Sequence, residues 1–149
     1  PKYNDLCLVI VGAKGWLFDD ILKETKTSVH KNQVIFTGQL NDEEKFSYYR
    51  AADIFIYPSF FEGFGFPPLE AMSCGTPVIT SRNSSLPEVV GRAAIMIDPF
   101  DIDELRLWIT KLLDDRNLSD VIAKKGVKQA SKFNWQNAAI KTLGVLKIA

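Results

Sequence analysis

Five short apolar runs, at residues 6–11, 34–37, 54–57, 78–80 and 94–97, set the architecture. Each is too short to be a helix. None alternates apolar with polar residues, which is the pattern of strands covered on both faces. Helical patterns separate most of them, so the sequence predicts a parallel sheet in an α/β layer fold.

The helices announce themselves at their ends. Asn41 with Glu44 forms an N-cap pair for a helix that carries Phe46 and Tyr49 inward and stops before Asp53. Pro67 and Pro68 suit a first helical turn, where a missing N–H costs little, and Gly75 followed by Pro77 ends that helix. Asp101 caps a longer helix whose Ile102, Leu105, Trp108, Ile109, Leu112 and Leu113 form a core-facing stripe. Beyond Asp115 the pattern is helical throughout. Leu118, Val121, Ile122, Val127 and Ala130 lie on one segment, and Trp135, Ala139, Leu143 and Leu146 on the next.

Composition removes several function classes. The 149 residues carry 18 Lys plus Arg against 18 Asp plus Glu, a balance that argues against binding nucleic-acid backbones. Cys7 and Cys74 have no clustered His or second Cys at a metal-ligand spacing, and His30 reads as a surface residue, so no metal site is expected. Two unclustered cysteines fit a reducing, cytoplasmic compartment. No apolar stretch approaches the ~20 residues of a membrane span. The first apolar run lies a few residues from the start, which raises the expectation of a piece of a longer protein.

Ligands of open parallel sheets bind beyond the carboxyl ends of the strands. After the first run stand Gly12, Ala13, Lys14, Gly15 and Trp16. This segment could hold a phosphate, yet it has neither the dinucleotide fingerprint nor the P-loop pattern, and a tight strand-to-helix turn explains it as well. The loop after residues 54–57 says more. Gly63 and Gly65 allow close backbone approach to a ligand, and the free N–H groups of the following helical turn would favour an anion such as a diphosphate. Glu62 lies in this loop and Glu70 in the first turn of the helix, both able to accept hydrogen bonds from sugar hydroxyls in bidentate fashion. Phe60, Phe61, Phe64 and Phe66 are expected mostly in the core, with one available to face a sugar ring. Each glutamate also has a plainer reading, Glu70 as a helix-dipole partner and Glu62 as a solvated charge.

Glu62 and Glu70, with seven residues between them, followed by Ala71-Met72-Ser73-Cys74-Gly75-Thr76-Pro77-Val78-Ile79, resemble the E-x7-E signature of retaining glycosyltransferases of family four. The similarity extends through Ser84-Ser85-Leu86-Pro87-Glu88-Val89 and Ala94-Ile95-Met96-Ile97-Asp98-Pro99, and begins with Val11-Gly12 and Phe36-Thr37-Gly38. Lys14-Gly15-Trp16 and Ser84-Ser85-Leu86-Pro87-Glu88 look most like the mannosyltransferase branch acting on surface polysaccharides. The resemblance implies the Rossmann-like, C-terminal half of a two-domain GT-B fold, with a helical C-terminus.

By position, the resemblance implies that Glu62 lies against the donor hexose and Glu70 accepts from the ribose hydroxyls. It places Gly63, Phe64, Gly65 and Phe66 against the hexose and diphosphate, and Gly38, Gln39 and Leu40 at the nucleobase; Lys14 joins the expected donor contacts from its place in the Gly12–Trp16 loop. The nucleoside-diphosphate sugar is the substrate, and no cofactor or metal is implied. Expected partners are an N-terminal acceptor domain, absent here with the upstream Arg and Lys clamp, and a peripheral membrane contact of the parent. An uncovered sheet edge would favour self-association of the piece. Residues 1–149 are therefore expected to be one nucleotide-sugar-binding domain, inactive alone. A GT-B epimerase or phosphorylase, and a non-catalytic binding domain on the same scaffold, stand as alternatives.

Overall fold

The computed structural model describes residues 3–15 and 18–147; Trp16, named above, lies outside the described residues. Two compact units divide the chain, Pro1–Lys45 and Phe46–Ala149. All five predicted strands are present, each within two residues of its predicted ends.

In the first unit β1 (Leu8–Val11) pairs in parallel with β2 (Val34–Gly38), and the register shifts between Ile10 and Val11. A parallel pair needs a crossover, and α1 (Phe18–Thr27) provides it, with the Phe18 ring edge-on to Phe36 at 5.5 Å. The two strand ends stay together, because the Gly12 N–H donates to the Gly38 carbonyl at 3.0 Å. Helix α2 (Asp42–Ala51) opens on the predicted reciprocal cap: the Glu44 N–H donates to Asn41 Oδ1 at 2.9 Å and the Asn41 N–H to Glu44 Oε2 at 3.0 Å.

The second unit is a three-stranded parallel sheet in the order β3 (Phe55–Tyr57), β4 (Val78–Ser81), β5 (Ile95–Ile97). All four residues of the central strand are buried. Successive side chains of a strand point to opposite faces. Accordingly Val78 packs with Ala71 and Met72 of α3 (Phe66–Ser73) and with Val89 and Val90 of α4 (Leu86–Val90), whereas Ile79 packs with Ile97, Leu112 and Ile122. Leu112 comes from α5 (Ile102–Asp114) and Ile122 from α6 (Arg116–Ala130). Helices on both faces explain why the run has no alternation.

Caps and stops follow the sequence reading. Asp101 Oδ1 accepts the Glu104 N–H at 2.8 Å at the start of α5. At the end of α3, Gly75 turns into the left-handed region at φ 79°, so that its N–H reaches the Met72 carbonyl and the Thr76 N–H reaches Ala71.

The predicted apolar stripes are only partly buried. Ile102 is 78% exposed, because the cap residue before it turns the chain and leaves the first helical position outside the packed stripe; Val121 and Val127 are exposed as well. Helix α7 (Trp135–Leu146) forms as the spacing predicts, capped by Asn134, yet it buries no residue and Trp135 is 81% exposed. Among the described residues no helix is long and apolar enough to cross a membrane.

Met72 is fully buried where α3 meets β4. Met72→Ala leaves a cavity there and is expected to lower unfolding stability by about 2–5 kcal/mol, measured by urea denaturation.

Candidate functional site

The loop between β3 and α3 is built from its two ends inward. Tyr57 closes β3, and its carbonyl accepts from Thr80 Oγ1 of the neighbouring strand at 2.9 Å. At the other end Gly65 is buried at φ 111° as the N-cap of α3, and a Cβ there would lie 2.8 Å from Leu86 Cδ2. Only glycine fits that conformation in that space.

Between these anchors, three consecutive side chains after β4 hold the loop backbone. Asn83 Nδ2 donates to the Phe60 carbonyl at 2.9 Å, and Ser84 Oγ accepts the Glu62 N–H at 3.0 Å. The Ser85 hydroxyl lies 2.9 Å from the Glu62 carbonyl and 2.8 Å from that of Phe64. Ser84 adopts a φ of 48°, a conformation that costs a non-glycine residue roughly 1–3 kcal/mol and recurs where a structure is built around a site.

Each carboxylate has a tyrosine partner. Glu62 is half-buried, and its Oε1 accepts from the Tyr57 hydroxyl at 2.6 Å and from Ser59 Oγ at 2.8 Å. Glu62 is thus not a freely solvated charge. Glu70 Oε2 accepts from the Tyr49 hydroxyl at 3.1 Å. The two phenols flank one ring: Phe55 sits edge-on to Tyr49 at 5.1 Å and stacks on Tyr57 at 5.9 Å. Burial, then the Glu62 hydrogen bond and charge, push the Tyr57 hydroxyl up to about 12. Burial, then the charge and hydrogen bond of Glu70, push Tyr49 well up too.

Three details of the sequence reading need correction. Glu70 stands in the second turn of α3, not the first, since the helix begins at Phe66. The first turn is also a poor source of donors, because Pro67 and Pro68 have no N–H. The free donors begin before the helix and end at its first residue: among the described residues, the N–H groups of Gly63, Phe64, Gly65 and Phe66 meet no protein acceptor. Finally, Phe60, Phe61, Phe64 and Phe66 are all exposed, Phe61 by 81%. Three of them meet other surface rings, Phe60 stacking on Phe100 at 4.8 Å and Phe64 meeting Phe66 at 4.7 Å.

The second unit therefore assembles Glu62, Gly63, Phe64, Gly65, Phe66 and Glu70. The remaining candidates belong to the first unit. There the exposed Lys14 follows β1, while Gly38 ends β2 and leads into Gln39 and Leu40, so these segments leave adjacent strands. Among the described residues no three His, Cys, Asp or Glu side chains converge as metal ligands would. Sequence reading missed Tyr49, Tyr57, Ser59 and Asn83 and gave Ser84 and Ser85 no role. A tyrosine closing a buried strand was the available signal, since its hydroxyl must find a partner.

The family pattern described as "Glycosyl transferases group 1" matches residues 1–129. The chain belongs to the group 1 glycosyl transferases. It is 38% identical over 141 residues to the O-antigen chain mannosyltransferase B of Escherichia coli, covering 95% of this chain and 37% of that protein. It thus spans little more than a third of that relative's length. Among solved structures it resembles sucrose-phosphate synthase from Thermosynechococcus elongatus, with a TM-score of 0.84 at 28% identity over 94% of this chain and 37% of that one. The C-terminal domain of the group 1 family protein LpcC from Francisella tularensis is similar too, with a TM-score of 0.75 at 30% identity over 88% of this chain and 71% of that one. These relatives agree with the α/β, GT-B-type fold expected from the E-x7-E resemblance.

Two outcomes follow from this geometry. Gly65→Ala is expected to lose roughly 1–3 kcal/mol of stability in urea denaturation, because the new methyl collides with Leu86 at a disfavoured φ. The tyrosines set a pH dependence. The Tyr57 hydroxyl ionises at about 12 in the folded state against 10.0 ordinarily, so its contribution to stability is complete below pH 10.0 and is lost as pH rises through about 12. Glu62→Gln removes the charge but leaves the burial, and should move Tyr57 ionisation part of the way down, as read from its ring-carbon NMR shifts.

Proposed function

We propose that this chain is the donor-binding part of a retaining glycosyltransferase that transfers a hexose from a nucleoside-diphosphate sugar to a hydroxyl acceptor. The observation that carries this reading is the run of four free amides from Gly63 to Phe66, placed between two carboxylates that tyrosines hold in position. Amides in a row suit the diphosphate, and carboxylates suit sugar hydroxyls. In this reading Glu62 positions the hexose and Glu70 takes the ribose hydroxyls. Gly63, Phe64, Gly65 and Phe66 receive the hexose and diphosphate, Gly38, Gln39 and Leu40 receive the base, and Lys14 adds positive charge near the phosphates.

The chemical demand in such a transfer is the negative charge that develops on the departing diphosphate. Preorganised amides meet it without reorganising at the moment of reaction. Glu62 acts in this scheme by orientation, and none of the 149 residues is assigned as nucleophile or general base. Similarity to the E. coli O-antigen chain mannosyltransferase supports mannose as the sugar and a polysaccharide or lipid-linked hydroxyl as the acceptor. We further assign residues 1–149 to one nucleotide-sugar-binding domain that works with a separate acceptor-binding domain, in the cytoplasm and at the membrane surface where such acceptors lie.

Calorimetric titration of the chain with GDP, UDP and ADP, each with and without magnesium, tests this reading. Saturable, metal-independent binding of one nucleotide is expected, weakened at least about tenfold in Glu70→Ala, a difference of ~1.4 kcal/mol. Absence of binding by all three at millimolar concentration overturns it.

A further inference from the structure

Glu62 is held at four points, and the pattern of those contacts is uneven. Its N–H is taken by Ser84 and its carbonyl by Ser85. Both side-chain contacts fall on the same oxygen: the Tyr57 hydroxyl at 2.6 Å and Ser59 Oγ at 2.8 Å meet at Oε1. Two donors fill the two acceptor sites of one carboxylate oxygen. Among the described residues nothing donates to Oε2.

We propose that Tyr57 is a positioning residue that turns the Glu62 carboxylate so that one oxygen, Oε2, is offered to a single hydroxyl of the bound hexose. This inference rests on the donor-site reading above and narrows it: the bidentate acceptance expected from sequence gives way to acceptance through Oε2. Tyr57 is suited to the task because the sheet, not the loop, fixes it. Its backbone lies in register with Thr80 on β4, its carbonyl accepts from the Thr80 hydroxyl at 2.9 Å, and its ring stacks on Phe55 at 5.9 Å. The short phenol contact carries that rigidity into a side chain with three torsions of its own. Ser59 is the weaker anchor, since its hydroxyl also lies 3.2 Å from the Phe61 carbonyl and can turn to it.

A role in merely pinning the loop makes a different demand. Asn83, Ser84 and Ser85 already pin the backbone that presents the Gly63 to Phe66 amides. If Tyr57 only reinforced that grip, its loss would weaken binding of the diphosphate as much as binding of the sugar. Positioning of Oε2 affects the sugar alone.

The test is calorimetry on the full chain with GDP and GDP-mannose and with UDP and UDP-glucose, comparing each nucleotide sugar with its parent nucleoside diphosphate. In Tyr57→Phe the ring and its stacking remain. The affinity ratio of nucleotide sugar to diphosphate should fall roughly fivefold, as expected for one well-placed hydrogen bond, while diphosphate affinity stays within about twofold. Glu62→Gln should reduce the same ratio, and the double variant should fall no further than the lower single variant, the mark of two residues acting as one unit. If Glu62→Gln leaves the ratio unchanged, the donor-contact reading itself fails. If Glu62→Gln collapses the ratio and Tyr57→Phe does not, or if Tyr57→Phe weakens diphosphate and sugar equally, the positioning role is overturned. A second measurement needs no ligand. NMR scalar couplings along the Glu62 side chain should report one rotamer in the parent chain and averaging in Tyr57→Phe, and a single rotamer in both would also overturn it.

Discussion

Burial of β4 on both faces is the constraint from which the second unit follows. A strand with no exposed residue needs apolar cover above and below, and Val78 and Ile79 recruit it in opposite directions. The cover on the Val78 side comes from α3, which follows the candidate loop, and from α4, which follows the serines that tie it. The chain beyond the ends of β3 and β4 therefore cannot drift without disturbing a packed layer. Burying each of these apolar side chains contributes about 1.5–3 kcal/mol, more than any single loop hydrogen bond.

On that base the site is finished by short polar contacts. Asn83, Ser84 and Ser85 act through backbone atoms of the neighbouring loop, and Tyr49 and Tyr57 act through carboxylates. Such contacts are individually worth about 1 kcal/mol and serve geometry more than stability. The aromatic group of Tyr49, Phe55 and Tyr57 links them to the core, so that both glutamates are oriented from the same packed surface.

Strands and caps were legible in the sequence because their signals are local. An unbroken β-branched run such as residues 78–80, or an Asn41 and Glu44 pair, means the same thing wherever it occurs. The motif at Glu62 and Glu70 was legible as a spacing, and the family match agrees with it. What stayed hidden depends on residues distant in sequence. No spacing rule joins Ser84 to Glu62, and the phenylalanines of the loop look like core residues until the fold shows that the loop runs over the surface. Helix α7 illustrates the converse, since an apolar stripe at helical spacing predicts the helix but not what lies against it. The missed turn of Glu70 had a simpler origin, because α3 begins at Phe66, one residue ahead of the two prolines.

Those two prolines also divide labour within the site. A helix whose opening residues carry amide hydrogens would impose its own fixed cone of donors on anything bound there. Here the second and third helical positions contribute none, and the donors belong to a segment punctuated by Gly63 and Gly65. The arrangement of the free amides thus resides mainly in a handful of loop torsions, while α3 adds the Phe66 amide and carries Glu70. Exchanging loop residues can reshape that arrangement while leaving the hydrophobic interior unaltered.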